Sequence, residues 1–469
     1  MRSRSSNYFF VTNQMSNIVF NLPPRLASLI IGEWMGVAGA VRLDSTVCDT
    51  NTRPVLAEIF ASSDCILHQS SESANTDSLV AWSSSKRKVR IGSVTFDKAS
   101  DVSIYEKYLA NFGDTVRTVR STERTKSQAK ANSTFMNLVA SHCRQIEELE
   151  LEGHVLHAGL REVLSNCTRL HTFKVSNLDN FNPQCLRDLQ CPLIRTLKVS
   201  YSNSAETTAA LLKTAPNAHS VSLQDCELQL STEESALHYL SPHLRCLYLN
   251  SVALSDTVLI SMVDLCPCIA ELHLKDIEFD LEKESEMLSI KGVEYLAQHG
   301  SQLSAISLIH CNLTEECLKV LVTHRAATLS SLKIVKCSEI TTAGLNTALT
   351  LCPQLTHFHI RLEWDHSDLN FALLANVTNL HLELRSTENC RKFLAGVSLH
   401  CAKLQHLIVE ITDRPDPTAQ LNRIVRNCTD IRTLHMRVQQ YEDEPLVSKD
   451  KIREWQTLRP CLVVTYDQN

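Results

Sequence analysis

CRQIEELEL at residues 143–151, CTRLHTFKV at 167–175 and CPLIRTLKV at 191–199 are one pattern written three times at equal spacing. In each copy an anchor (Cys143, Cys167, Cys191) is followed by apolar residues three, six and eight positions later. These are Ile146, Leu149 and Leu151; Leu170, Phe173 and Val175; Ile194, Leu197 and Val199. Two apolar residues separated by one polar residue are the period-two signature of a short strand burying one face. Working outward, the same frame continues from anchors Ala215, Ser241, Cys266, Gly300, Ala326, Cys352, Leu374, Cys401 and Cys428, giving twelve repeats, and most steps are close to the first in length.

Two steps break the spacing. Cys266 to Gly300 is the longest and holds the polar run Glu282-Lys283-Glu284-Ser285-Glu286, while Cys352 to Leu374 is the shortest. The longer step predicts a loop on one side of the array. After each strand comes a polar turn and then a helical stretch, as in Gly159-LREVLSN, where Leu160, Val163 and Leu164 share one face. A unit of one strand and one helix cannot bury its apolar face alone, so successive units stack. The expected fold class is α/β, a horseshoe solenoid with a parallel concave sheet and convex helices.

The unit Ser331-LKIVKCSEITTAGLNTALTLC resembles the cysteine-containing leucine-rich repeats of F-box proteins and ribonuclease-inhibitor-like solenoids. Leu332, Ile334, Cys337, Ile340, Thr342, Gly344, Leu345 and Cys352 fall where that family's pattern puts them, and Leu308-IHCNLTEECLKVLVTH, with Cys311 and Leu313, is a second match. The resemblance covers the chain from Cys143 to Arg437. It speaks for the fold more than for a role, because one fold hosts many functions.

Leu22-PPRLASLIIGEWMGVAGAVRLDSTVCDTNTR has a different texture. Proline in a first turn followed by Leu26, Leu29, Ile30 and Trp34 reads as a short amphipathic helix, and the apolar run Val37 to Leu43 as a second. The segment is similar to an F-box, which docks on the adaptor subunit of a cullin-RING ubiquitin ligase. That resemblance implies Leu22, Pro23, Leu26, Ile30 and Trp34 as adaptor-docking residues. The competing reading is a helical cap over the open end of the array, which terminal repeats need. The organisation expected is a flexible N-terminus at 1–20, whose Arg2, Arg4 and serines are also the composition of a mitochondrial transit peptide. An F-box-like segment at 21–60 and a polar linker at 61–81 follow. Next come degenerate repeats and a mobile loop at 82–142, leucine-rich repeats at 143–437, and a C-terminal cap at 438–469 closed by Trp455, Leu458, Leu462 and Val464.

A net charge of -6 lacks the basic field that nucleic-acid binding uses. The longest apolar stretch, Leu26 to Val41, is short for a membrane span and carries Glu33. Neither nucleic acid nor membrane is an expected partner. Eighteen cysteines in a long chain, many at one repeated position, read as reduced buried thiols of a cytoplasmic or nuclear protein. No phosphate-binding glycine loop, GxSxG, HExxH or CxxC occurs, so no catalytic residue, cofactor or metal is expected and the chain reads as a non-enzyme. Cys266-Pro-Cys268 with His273 offers zinc-type ligands, but Cys266 is already accounted for as an anchor.

Partner recognition falls to polar residues that alternate with the buried strand positions. The expected concave protein-binding face comprises Glu148, Glu150, Lys174, Lys198, Tyr248, His273, Lys333, His357, His359, Arg361, His381, His406, His435 and Arg437. In the same columns the frame also places Ser307, Asn379, Glu383 and Glu410. Glutamates beside lysines in the first repeats read either as a structural charge ladder or as a partner patch. Histidines gathered on the last repeats leave three readings open: ordinary exposed histidines, a pH-sensitive partner surface, or a metal site.

Overall fold

The computed structural model describes residues 22–23, 26–28, 31, 37–46, 52–62, 65–67, 76–83, 89–96, 100–122, 129–153, 159–178, 181–229, 235–277, 288–362, 368–384, 387–411, 416–438 and 447–468. The expected flexible N-terminus, the polar run at 282–286, and Ile30 and Trp34 lie outside them. The chain forms two compact units, Met1–Ala218 and His219–Asn469. Each is an α/β leucine-rich-repeat solenoid.

In the first unit the strands Ser93–Phe96, Thr118–Thr122, Glu148–Glu152, Thr172–Ser176 and Thr196–Ser202 pair in parallel in chain order. In the second, Ser220–Cys226, Cys246–Asn250, Glu271–Lys275, Ala305–Ile309, Ser331–Val335, His357–Leu362, Asn379–Leu384, His406–Ile411, Thr433–Val438 and Val463–Gln468 do the same. Register follows the sequence frame without slip: Leu197 stands opposite Phe173, and Leu332 opposite both Ile306 and Phe358. Every residue three, six or eight positions after an anchor is buried, from Ile146, Leu149 and Leu151 to Ile431, Leu434 and Met436. A parallel sheet needs a crossover between strands, and the helix supplies it while covering the apolar side.

The anchors have a definite task. The thiols of Cys167, Cys191 and Cys266 donate to the carbonyls of Cys143, Leu164 and Ser241 in the preceding turn, at 3.3, 3.7 and 3.4 Å. A small, weakly donating side chain satisfies a backbone acceptor there without a cavity. Burial pushes the Cys167 and Cys266 thiols up to about 12, so they stay protonated donors. Hydroxyls form a second ladder, with Ser330, Thr356 and Thr378 each donating to the carbonyl of the preceding repeat (Ser304, Ser330, Thr356) at 3.2 Å. Helices open on side-chain caps: Ser204, Ser255, Ser289, Thr314, Thr341 and Ser448 accept from backbone N–H groups of the first turn.

From the second repeat to the eighth, a left-handed residue stands ten positions after the anchor. Asn177, Tyr201, Asp225, Ser251, Asp276, His310 and Lys336 have φ between 48 and 59°. The turn aims the following residue inward, so Leu178, Val252, Ile277, Cys311 and Cys337 are buried. From His357–Leu362 onward the strands run six residues. Among the described residues no further left-handed residue occurs there, and Leu384 and Ile411, at the tenth position, are themselves buried.

Parallel strands at Ser93–Phe96 and Thr118–Thr122 stand where degenerate repeats are expected, before the frame at residue 143. Their core is aromatic, with Phe96 stacked on Phe135 at 4.4 Å and Tyr105 edge-on to both, in place of the leucine pattern. Other local expectations are corrected. Where a mobile loop is expected within 82–142, the strand Thr118–Thr122 and the helix Ala129–His142 stand on either side of residues 123–128, which lie outside the described residues, and the helix is held by buried Phe135, Met136 and Val139. Within the polar linker, Ile66–Leu67 pairs with Arg90–Ile91 and Thr76–Trp82 is helical, because Cys65, Leu67 and Val80 are buried. Three crossovers, Pro183–Leu186, Ala236–Tyr239 and Phe371–Leu374, are single 3-10 turns rather than α-helices. The last serves the shortest repeat, Cys352 to Leu374, which leaves no room for a longer crossover. At the C-terminus Trp455 and Leu462 are buried as expected, whereas Leu458 is exposed on the outer side of its helix.

Candidate functional site

The outward faces of the strands differ in chemistry. In the first unit Glu150 stands opposite Arg120 on one side and Lys174 on the other. Arg120 lies 3.2 Å from Glu150, while Lys174 pairs with Glu148 and lies 3.7 Å from Glu150. These charges answer one another, as a cross-strand ladder should. Lys198, opposite Lys174, is exposed and outside that ladder.

In the second unit the seventh position after each anchor forms a continuous column: Tyr248, His273, Ser307, Lys333, His359, His381, Ile408 and His435. Neighbouring strands place these about 4.8 Å apart. Tyr248 stacks on His273 at 4.0 Å, and His359 on His381 at 3.6 Å. A cavity of about 270 Å³ opens on this face, lined by His273, Ser307, Lys333, His357, His359, Asn379, His381 and His406, with Ile306, Leu332, Phe358 and Leu380 among its apolar lining.

Around the paired histidines the carboxylates are committed. Glu383 Oε1 lies 2.9 Å from His359 Nε2, and Glu383 Oε2 lies 3.1 Å from Arg361. Glu410 lies 3.1 Å from His381 Nε2 and 2.5 Å from Arg437. Burial pushes the Glu383 carboxyl up, but the His359 contact and the nearby positive charges outweigh it and hold it below the usual range. Burial, then the neighbouring His359 ring, holds the His381 imidazole down to about 3, and His359 is held down by burial as well. Both rings are neutral at pH 7. His357 Nε2 meets the Asn379 amide at 2.8 Å, His406 meets Thr433 at 2.8 Å, and His435 meets Thr465 at 2.6 Å.

Sequence reading therefore brought Tyr248, His273, Lys333, His357, His359, Arg361, His381, His406, His435 and Arg437 onto one face, and it left Glu148, Glu150, Lys174 and Lys198 in the other unit. It passed over Ser307, Asn379, Glu383 and Glu410, although the frame placed each in an outward column. Their weight comes from pairing and burial, which have no sequence signal. His359, His381 and Glu383 bring potential metal-ligand atoms within 4.8 Å of one another. Two imidazoles and a carboxylate suit zinc by type. Arg361 already holds the carboxylate, and Lys333 adds positive charge beside it.

At the N-terminus Leu22 is half-buried, Pro23 exposed and Leu26 exposed, while Ala27, Ser28 and Ile31 face inward. Ser28 donates to the Ile59 carbonyl of the helix Thr52–Ala61 at 3.2 Å, and Trp82 donates to Asp44 of the helix Val37–Thr46 at 3.2 Å. Among the described residues no helix is long and apolar enough to cross a membrane.

Fold and face together define a leucine-rich-repeat solenoid that presents a polar, histidine-rich strand surface. Comparison with protein-family models and with curated proteins finds no match. Among solved structures, a chain of the yeast Rad7 and Elc1 complex aligns over 98% of this chain and 95% of that one, at 14% identity and a TM-score of 0.42.

Proposed function

We propose that this chain is a non-catalytic protein-binding receptor: the strand face of the second unit captures a target protein, and the N-terminal segment docks on the adaptor of a cullin-RING ubiquitin ligase. The observation that carries the binding role is the cavity of about 270 Å³ on the histidine column, where polar groups and apolar floor residues share one accessible surface. Rows of outward side chains on stacked strands are the extended binding surfaces that solenoids use.

The adaptor reading rests on the F-box-like sequence together with the exposure of Pro23 and Leu26 beside buried Ala27 and Ile31. An apolar side chain left outside a packed helix is available to a partner. The second reading, a scaffold whose N-terminal helices only cap the array, is favoured by the Trp82–Asp44 bond and by the edge-on packing of Phe60 on Trp82 at 5.8 Å. Affinity capture of the full chain separates the two. The receptor reading expects adaptor and cullin to be recovered, and recovery to be lost when Pro23 and Leu26 become alanine with melting unchanged. A parent chain that recovers neither leaves the scaffold.

A further inference from the structure

We infer that the cavity at Lys333 is a receptor site for a carboxylate carried by an acidic side chain of the protein partner. This deepens the binding face proposed above and rests on it. Three consecutive residues of one column, His273, Ser307 and Lys333, stand opposite one another on neighbouring strands and all line the cavity. Among the described residues, Ser307 Oγ is buried and has no hydrogen-bond partner, and the residue is only 2% exposed. His273 Nε2 is buried and makes no close hydrogen bond; a Glu271 carboxylate oxygen stands 3.7 Å from it and the ring stacks on Tyr248. Lys333 is partly buried, burial holds its ammonium below the ordinary range while the charges of Glu383 and Glu410 act against that, and among the described residues it stands in no hydrogen bond and no ion pair. Buried polar groups left unmade cost free energy, so a row of three possible donors is a site waiting for an acceptor.

Charge decides which acceptor fits. The two carboxylates nearest the histidine pair are spoken for, Glu383 by Arg361 and Glu410 by Arg437. With His359 and His381 neutral, Lys333 is, among the described residues, the cation of this cluster that stands in no ion pair, and Glu271, 3.7 Å from His273, sets a carboxylate at the far end of the row. A single cation with that carboxylate near the row accommodates one further negative charge at Lys333 and not two. A monoanionic carboxylate meets that condition, and a dianionic phosphate exceeds it. The apolar floor of Ile306, Leu332 and Phe358 suits the methylenes of a glutamate.

The test uses the full chain labelled with carbon-13 at histidine and three probes: N-acetylglutamate α-amide, its neutral isostere N-acetylglutamine amide, and inorganic phosphate. The glutamate probe is expected to shift His273 and His359 ring signals saturably. The glutamine probe should bind at least tenfold more weakly, and phosphate more weakly than glutamate. Lys333→Met should reduce glutamate binding about tenfold or more and Ser307→Ala about threefold, thermal melting confirming that each variant folds. Equal shifts from the glutamine probe, unchanged binding in both variants, or tighter binding of phosphate would overturn the assignment. Because the probes are single residues, this outcome is independent of whether an adaptor or a target is ever recovered.

Discussion

At the scale of the single residue, burial holds His273, His359 and His381 below the ordinary imidazole range, so they behave as neutral polar aromatics. His381 is held down to about 3 by burial and then by the His359 ring, with Arg437 answering the charge of Glu410 that lies beside it. Unfolded, its imidazole titrates near 6.5. Above that value it is neutral in both states and adds no pH dependence. As pH falls from about 6.5 toward 3 the unfolded chain binds a proton that the folded chain refuses. Stability therefore declines over that window, by at most about 1.4 kcal/mol per pH unit for one such group. Urea unfolding of the parent and of His381→Gln should show the parent ahead at pH 7 and its lead shrinking steadily toward pH 5. Parallel curves would mean that the ring is charged in the fold. The metal reading of the same pair remains chemically distinct, since it needs Glu383 to exchange Arg361 for a metal ion.

At the scale of the element, the earlier repeats depend on one left-handed residue that turns the next side chain inward. Ser251, at φ 51°, is such a residue; its N–H donates to the Lys275 carbonyl and Val252 follows it into the core. Ser251→Gly relieves strain and should leave melting unchanged or slightly raised. Ser251→Val forces a β-branched side chain into the same conformation and should cost about 1 to 3 kcal/mol. If the two variants melt alike, the turn tolerates any residue and the reading fails. The later strands lack this turn and continue through the tenth position, where Leu384 and Ile411 are buried.

At the scale of the whole molecule, a solenoid is stabilised mainly by contacts between neighbouring turns, so damage stays near its origin. Leu197 is fully buried and stands opposite Phe173. Leu197→Asp removes its packing and buries a charge without a partner, a loss of about 4 kcal/mol or more. Amide exchange should accelerate most in Thr172–Ser176 and Thr196–Ser202 and least in Thr433–Val438. Uniform acceleration along the chain would show one cooperative unit, and no acceleration would show that the frame is misplaced.

What the sequence by itself determined is the repeat: Leu149, Phe173, Leu197 and their counterparts through Leu434 are buried in one register, because a hydrophobic period survives intact from sequence to sheet. The resemblance to cysteine-containing repeats led to the same anchors, and the cysteine position has a physical cause in the thiol bonds to preceding carbonyls. The first strands were legible only as degenerate repeats within 82–142, because Phe96, Tyr105 and Phe135 fill their core in place of leucines. The face was legible as columns of outward residues, but not as a site. Only the folded sheet decides that Glu383 and Glu410 are neutralised while Ser307 and Lys333 are left without bonding partners among the described residues. That distinction depends on which side chains meet across strands a whole repeat apart in the chain, and on how far each is withdrawn from water.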